Sequence, residues 1–186
     1  MKFLDYSKKI VLVGDAAVGK TSLIRRFVID KFDDKYIVTI GTKTSRKQME
    51  MKYEPQQLAI TLTLNIWDII GQKEMKKLHT LYFKGSEGVI VVCDMTRADT
   101  LASVAEWLNG VYECCGKVPG VLACNKADLK DEFAITEQQI KSTAAQFGMK
   151  TLYCSAKSGE NVENIFNEIG AKLCEPIVTK HAAGAV

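Results

Sequence analysis

The sequence lacks the features that mark membrane-spanning, secreted and zinc-binding proteins. No apolar run approaches the roughly 18 residues that a membrane-spanning helix requires. The first residues form neither a signal peptide nor a myristoylation signal, which needs Gly in second position. None of the six cysteines stands in C-x-x-C spacing, so neither a zinc site nor a redox pair is indicated. We therefore expect free thiols in a reducing cytosol.

The sequence also lacks a large excess of charge of one sign. The net charge is only +3, and no long run of Lys and Arg forms a basic face, so the composition does not indicate a nucleic-acid partner. The 186 residues, 47% of them hydrophobic, suffice for one domain with a buried core. The sequence shows neither internal repeats nor a linker. We expect one domain over residues 1–175 and a disordered tail over 176–186.

Short apolar runs alternate with amphipathic stretches along the chain. The runs at 10–13, 89–93, 121–124 and 151–154 are almost continuously apolar, which is typical of strands covered on both faces. Between 42 and 67, apolar and polar residues alternate on both sides of a short polar turn, which predicts a β-hairpin. The pattern predicts an α/β fold: a six-stranded, mostly parallel sheet with one antiparallel edge strand and helices on both faces. Ligands of such sheets bind beyond the carboxyl ends of the strands.

A glycine-rich motif, G-D-A-A-V-G-K-T at residues 14–21, follows the first apolar run and opens an amphipathic stretch. Its glycines let the backbone fold into a nest of N–H donors at a helix N-terminus, which binds phosphate oxygens. Lys20 adds a mobile cation for the β- and γ-phosphates, and Thr21 offers a hydroxyl to Mg²⁺. The motif predicts a P-loop nucleoside-triphosphatase that binds its nucleotide through Asp15, Ala16, Ala17, Val18, Gly19, Lys20, Thr21 and Ser22.

Two short motifs select the base. The first, N-K-A-D at 125–128, follows a predicted strand, and the carboxylate of Asp128 can accept hydrogen bonds from the N1–H and 2-amino groups of guanine. Adenine lacks that donor pair and would leave the carboxylate unpaired. The second, S-A-K at 155–157, follows the next strand, where its backbone can donate to guanine O6 and its lysine can pack over the ring. The predicted base-binding residues are Asn125, Lys126, Asp128, Ser155, Ala156 and Lys157.

Further residues are placed to act on Mg²⁺ and the γ-phosphate. Asp68 ends the second hairpin strand facing the P-loop, where the outer coordination shell of Mg²⁺ needs a negative charge. Gly71 lets a backbone N–H approach the γ-phosphate, and Gln72 would orient an attacking water. Thr39 lies in the loop before the hairpin, and its hydroxyl would bind Mg²⁺ when that loop closes. We predict that Lys20, Thr39, Gly71 and Gln72 are catalytic and that Thr21, Thr39 and Asp68 serve the metal.

In their order along the chain, these motifs resemble the Ras superfamily of small GTPases. The resemblance runs from about residue 8 to about residue 174, nearly the whole domain. Within the superfamily, the residues at 39–41, 82–85 and 94–96 are most similar to the Rab branch. The resemblance implies a G domain that binds GTP or GDP with Mg²⁺, hydrolyses GTP and changes conformation when the γ-phosphate is lost.

The same resemblance implies where regulators bind. Switch I corresponds to about residues 31–43 and switch II to about residues 68–83. Phe32 would contact the guanine edge-on, and Tyr36 would close over the phosphates. An exchange factor, a GTPase-activating protein and effectors are the implied partners. We expect the protein to be a monomer.

One departure from the family concerns hydrolysis. The family's usual residues between Asp68 and Gly71 are Thr-Ala, and this chain has Ile69 and Ile70. Two β-branched residues stiffen a segment that must move toward the phosphate, and their bulk would crowd Mg²⁺ or the attacking water. We therefore expect slow intrinsic hydrolysis or altered switching. A scaffold that binds GTP or GDP with little or no hydrolysis remains an alternative, whereas the guanine motif disfavours an ATPase or kinase.

A second departure concerns the C-terminus. The last residues contain no C-a-a-X motif and no terminal Cys pair for prenylation. Two interpretations stay open: the protein is soluble, or an anchoring tail lies beyond this sequence. We expect a cytoplasmic protein that reaches membranes only through partners or through such a tail.

Overall fold

A six-stranded sheet crosses the computed structural model, which describes residues 1–32, 42–71 and 76–184. The strands are β1 (Lys2–Val13), β2 (Thr42–Tyr53), β3 (Leu58–Ile69), β4 (Gly88–Asp94), β5 (Gly120–Asn125) and β6 (Lys150–Tyr153). The helices are α1 (Lys20–Ile29), α2 (Lys76–Phe83), α3 (Ala98–Ala102), α4 (Val104–Cys115), α5 (Glu137–Phe147) and α6 (Val162–Ala182). Short 3₁₀ turns lie at Glu54–Gln56 and Lys130–Glu132.

The strand order places a ligand site at the end of β1. The sheet runs β2-β3-β1-β4-β5-β6, and β2 pairs antiparallel with β3 while the other pairs are parallel. This confirms the predicted mostly parallel sheet with one antiparallel edge. The chain winds from β1 toward β3 on one side and toward β4 on the other, so the order reverses at β1. Such a reversal opens a crevice at the carboxyl ends of the strands, where α/β proteins bind their ligands.

The sheet divides the core between its two faces. Ile10 points to the face covered by α1 and α6, and its neighbour Val11 points to the face covered by α4 and α5, because successive strand residues point in opposite directions. On the first face, Phe166 is fully buried and stacks on Phe27, with ring centroids 3.9 Å apart. Burial of a side chain of this size stabilises the fold by roughly 1.5–3 kcal/mol.

The first strand is longer than the apolar run at 10–13 predicted. It begins at Lys2 and pairs along its whole length with β3, from Lys2 opposite Leu58 to Leu12 opposite Asp68. Leu4 and Tyr6 are partly buried against the core cluster on the α1 and α6 face. Alternating apolar residues on one side of the strand therefore extend β1 through a stretch in which Lys2, Phe3, Asp5 and Ser7 are exposed.

The last helix is also longer than expected. Residues 176–186 were predicted to form a disordered tail, but α6 continues through Ala182. Ile177 is only 9% exposed and belongs to the same core cluster as Cys174, so apolar contacts hold this last part of the helix. Pro176 interrupts the hydrogen-bond ladder on the exposed side without ending the helix. Among the described residues, no helix is long and apolar enough to cross a membrane.

The start of α5 follows from a local sequence signal. The pair Thr136 and Gln139 predicts a capping box, and the structure confirms it. The Gln139 backbone N–H donates to Thr136 Oγ1 at 3.3 Å, and the Thr136 backbone N–H donates to Gln139 Oε1 at 2.8 Å. Two N-terminal donors that the helix itself cannot satisfy are thus bonded.

We predict that Thr136→Ala lowers the free energy of unfolding by about 1 kcal/mol, because it removes the acceptor of the capping box. Urea denaturation monitored by circular dichroism measures the change. Ser142→Ala, at an exposed position of the same helix, is the matched control and should stay within about 0.5 kcal/mol of the unmodified protein. Equal effects of the two substitutions would contradict the role of the cap.

Candidate nucleotide-binding site

The loop between β1 and α1 has a backbone that favours glycine. Gly14 and Gly19 have φ values of 139° and 101°, and Ala17, between them, also has a positive φ of 63°. A Cβ at Gly14 would collide with the carbonyl of Val92, and a Cβ at Gly19 would collide with the Asn125 side chain. The two glycines therefore let the loop press against β4 and β5, at the predicted place for a P-loop.

The N-terminus of α1 faces this loop with its backbone donors. The helix begins at Lys20, after Gly19, and its first turn contains no acidic residue. The first N–H groups of a helix have no partner within the helix, so such an end attracts anions. The structure therefore places residues with positive φ angles directly before a helix N-terminus.

Lys20 is held over the loop. Its side chain is buried, and its Nζ donates to the carbonyl oxygens of Gly14 at 2.7 Å and Asp15 at 2.9 Å. Burial lowers the pKa of Lys20 to about 8, although the charges of Asp68 and Asp15 oppose that shift. An amine in this condition gains protonation when an anion is placed beside it.

Thr21 and Asp68 form an oxygen pair beside the loop. Thr21 Oγ1 donates to Asp68 Oδ2 at 2.5 Å, and Asp68 is only 1% exposed at the end of β3. Burial raises the pKa of Asp68, while the Thr21 hydroxyl, Lys20 and Lys43 oppose that shift. Its other oxygen, Oδ1, has no hydrogen-bond partner among the described residues. The Thr21 hydroxyl and the Asp68 carboxylate, with its unused oxygen, suit Mg²⁺. This ion takes oxygen ligands and often uses one or two protein groups beside phosphates.

Gly71 lies directly against the P-loop. A Cβ on Gly71 would lie 2.6 Å from the backbone nitrogen of Ala16, so only glycine permits this approach. The two residues before it are anchored in the protein: Ile69 is fully buried in the core cluster on the α4 face, and Ile70 is 4% exposed. Ile69 also ends β3, where it pairs with Thr42 of β2. The segment that leads to Gly71 is therefore strand and core.

Asn125 joins the P-loop to the second base motif. Its Nδ2 donates to the carbonyl of Val18 at 2.8 Å, and its Oδ1 accepts from the backbone N–H of Ala156 at 3.1 Å. Ser155 Oγ donates to Asp128 Oδ1 at 2.6 Å, which fixes the exposed carboxylate of Asp128 against the same loop. The structure thus brings together the three motifs that the sequence singled out.

The other base-motif residues have clear positions. Lys126 Nζ lies 2.5 Å from Oδ2 of Asp94, a fully buried carboxylate at the end of β4. The carbonyl of Lys157 accepts a hydrogen bond from Arg26 Nη2 at 2.5 Å. Phe32 is partly buried and packs against the core cluster on the α1 and α6 face. Tyr36, Thr39 and Gln72, three further predicted site residues, lie outside the described residues.

Sequence reasoning missed several side chains that hold these loops. Asp94 binds Lys126, and Arg26 donates to the carbonyls of Ala156 and Lys157. Arg97, after β4, donates through Nη2 to the carbonyl of Ala16 at 2.8 Å. Asp94 carried a usable signal, because it ends an apolar strand beside the two strands that precede the P-loop and the first base motif.

These features define the class of protein. The sheet is mostly parallel, its P-loop lies where the strand order reverses, and the base motifs follow β5 and β6. This arrangement is that of a P-loop nucleoside-triphosphatase domain.

Comparison with known proteins narrows the class. The Ras family model matches residues 9–175, and the chain belongs to the Ras family. Ras-related protein RABD2b of Arabidopsis thaliana is 33% identical over 182 residues, covering 97% of this chain and 87% of its own. Ras-related protein Rab-1D of Dictyostelium discoideum is 34% identical over 163 residues (87% and 77%). Human Ras-related protein Rab-8B is 31% identical over 189 residues (99% and 88%). The chain is therefore a Rab-like small GTPase, as its motifs indicated.

We predict that Asn125→Ala destabilises the protein by about 2 kcal/mol or more, because the Val18 carbonyl and the Ala156 N–H would both lose a buried partner. Urea unfolding after removal of nucleotide with a chelator measures the effect without a ligand contribution. Asn109→Ala, at an exposed position of α4, is the matched control. If Asn125→Ala costs no more than the control, the bridge does not hold the two loops together.

Proposed function

We propose that this chain is a guanine-nucleotide switch that binds GTP and GDP with Mg²⁺ and hydrolyses GTP slowly. The observation that carries the proposal is the Asn125 bridge, because it fixes the P-loop and a base-binding loop as two parts of one cleft. Membership of the Ras family supports the same function. We assign this activity to a G domain over residues 1–175.

Selection of guanine rests on Asp128. Ser155 holds one carboxylate oxygen, so the carboxylate has a set orientation from which it accepts bonds from the guanine N1–H and 2-amino groups. We assign the donor to guanine O6 to the backbone of residues 155–157, a loop that Asn125 ties to the P-loop through Ala156. Lys126 and Lys157 flank the base, and Phe32 contacts its edge. Adenine would leave the Asp128 charge without donors, which disfavours it strongly.

Phosphate binding rests on the P-loop and on Lys20. The backbone N–H groups of residues 15–22 surround the phosphates, and Lys20 exchanges its contacts with loop carbonyls for phosphate oxygens. Thr21, Thr39 and Asp68 would hold Mg²⁺, which when bound neutralises charge on the phosphates. Gly71 offers its N–H to the γ-phosphate, and Tyr36 closes over it. Gln72 and the carbonyl of Thr39 orient the attacking water.

Slow hydrolysis follows from the anchored segment before Gly71. Pulling a buried isoleucine such as Ile69 from the core costs roughly 1.5–3 kcal/mol, so movement of this segment toward the phosphate is opposed. The β-branched side chains of Ile69 and Ile70 add stiffness. The same burial favours the second candidate function, a nucleotide-binding scaffold with little or no hydrolysis.

The switch segments are the proposed contact regions for regulators. We assign switch I to about residues 31–43 and switch II to about residues 68–83; of their described residues, Thr42 pairs with Ile69, and Gly71 lies against the P-loop. An exchange factor, a GTPase-activating protein and effectors would bind these segments. The protein that they bind would be a monomer.

We predict that nucleotide released from the denatured purified protein is GDP or GTP, identified by chromatography. Asp128→Ala should weaken GDP binding at least about 100-fold, since two hydrogen bonds to a charged group are lost. Asp131→Ala, an exposed carboxylate on the next turn, is the matched control and should bind like the unmodified protein. Recovery of ADP or ATP would overturn the assignment.

We predict that Ile70→Ala accelerates single-turnover GTP hydrolysis, by up to about tenfold, because the segment before Gly71 loses a buried anchor. Ile29→Ala, which removes an isoleucine that is 56% exposed on α1, is the size-matched control. Gln72→Leu sets the lower limit of the assay. A thermal melt confirms that each variant is folded at the assay temperature, and an unchanged rate for Ile70→Ala would refute the anchoring hypothesis.

A further inference from the structure

Arg97 contacts the P-loop, although it belongs to no nucleotide-binding motif. It lies between β4 and α3, and its Nη2 donates to the carbonyl of Ala16 at 2.8 Å. Its Nε lies 3.5 Å from Oδ2 of the buried Asp94. Asp94 is itself fixed, because its Oδ1 accepts from the backbone N–H of Thr96 at 3.0 Å and from Thr96 Oγ1 at 2.7 Å. The guanidinium group therefore combines a hydrogen bond to the loop with an ion pair to Asp94.

The contact with Ala16 sets the direction of the next N–H group. A trans peptide is planar, so the carbonyl of Ala16 and the N–H of Ala17 point in opposite directions. Because Arg97 holds that carbonyl, the Ala17 N–H points away from Arg97. Ala17 has a φ of 63°, a left-handed conformation that an alanine adopts only at a cost. Left-handed residues in such loops build the N–H nests that bind anions.

Neighbouring contacts fix the same stretch of backbone. Trp107 Nε1 donates to Asp15 Oδ1 at 2.8 Å, and Gly71 lies against the nitrogen of Ala16. Neither contact restrains the Ala16 carbonyl, which Arg97 holds. Within the described part of the chain, Arg97 is thus the side chain that bonds the carbonyl of the Ala16–Ala17 peptide.

We propose that Arg97 is a positioning residue that keeps the Ala17 N–H aimed at the phosphates of the bound nucleotide. This inference rests on the proposed function. The ligand group concerned is the diphosphate or triphosphate, because the base is bound by other loops. Through Asp94, which also binds Lys126, the same arginine connects the phosphate-binding loop with the base-binding loop.

The test uses the full chain with Arg97→Ala, Arg97→Lys and the charge-matched control Arg46→Ala, whose side chain is exposed on β2. Dissociation of a fluorescent GDP derivative is followed in the presence of Mg²⁺. We expect Arg97→Ala to release it roughly tenfold faster, as loss of one charged hydrogen bond predicts. Arg97→Lys, which retains a cationic donor, should recover part of the loss, and Arg46→Ala should match the unmodified protein.

Competition binding separates phosphate positioning from a general loss of structure. Inorganic diphosphate reports on the P-loop alone, and guanosine reports on the base loops alone. For Arg97→Ala we expect weaker competition by diphosphate and unchanged competition by guanosine. Equal loss for both competitors, or dissociation no faster than in Arg46→Ala, would overturn the role of Arg97. If the unmodified protein bound no labelled GDP, the proposed function itself would fail, and this inference would fail with it.

Discussion

The side-chain amide of Asn125 occupies the place where two loops from distant parts of the chain meet. Its nitrogen holds the Val18 carbonyl and its oxygen holds the Ala156 N–H, so each end of one planar group satisfies a buried backbone atom. The glycine at position 19 is needed for this approach, since any side chain there would displace the amide. The relative placement of the phosphate-binding and base-binding surfaces thus depends on this buried amide at the end of β5, and the contacts of Arg26 and Arg97 support it.

Much of the fold was predictable because its signals are local. Continuous apolar runs predicted the parallel strands of the sheet centre, and alternation predicted the hairpin. The extension of β1 to Lys2 and of α6 to Ala182 was not predicted, because both stretches are half polar. Pairing with β3 stabilises the start of β1, and contacts such as that of Ile177 with the core stabilise the end of α6. These contacts join distant parts of the chain, so no short window of sequence contains them.

The candidate site divides in the same way. The P-loop and the base motifs were predictable because each needs several residue types at a fixed spacing at a strand end. Arg26 and Arg97 were not, since each donates to carbonyls that belong to another segment: Arg26 lies 130 positions from Ala156, and Arg97 lies 81 from Ala16. A backbone carbonyl has no side-chain identity, so such contacts leave no mark on the sequence of the accepting residue. Supporting contacts of this kind become visible only in three dimensions.

The pairing of Thr42 with Ile69 has a mechanical consequence. The antiparallel strands hold Thr42 and Ile69 opposite each other, so the chain enters and leaves the hairpin at one place. A displacement of either residue is opposed by the same inter-strand hydrogen bonds. Each strand of the hairpin extends eleven residues beyond that pair, about 37 Å at the usual rise per residue. The turn at Glu54–Gln56 therefore lies at the far end of strands whose other end, at Asp68, adjoins the nucleotide site.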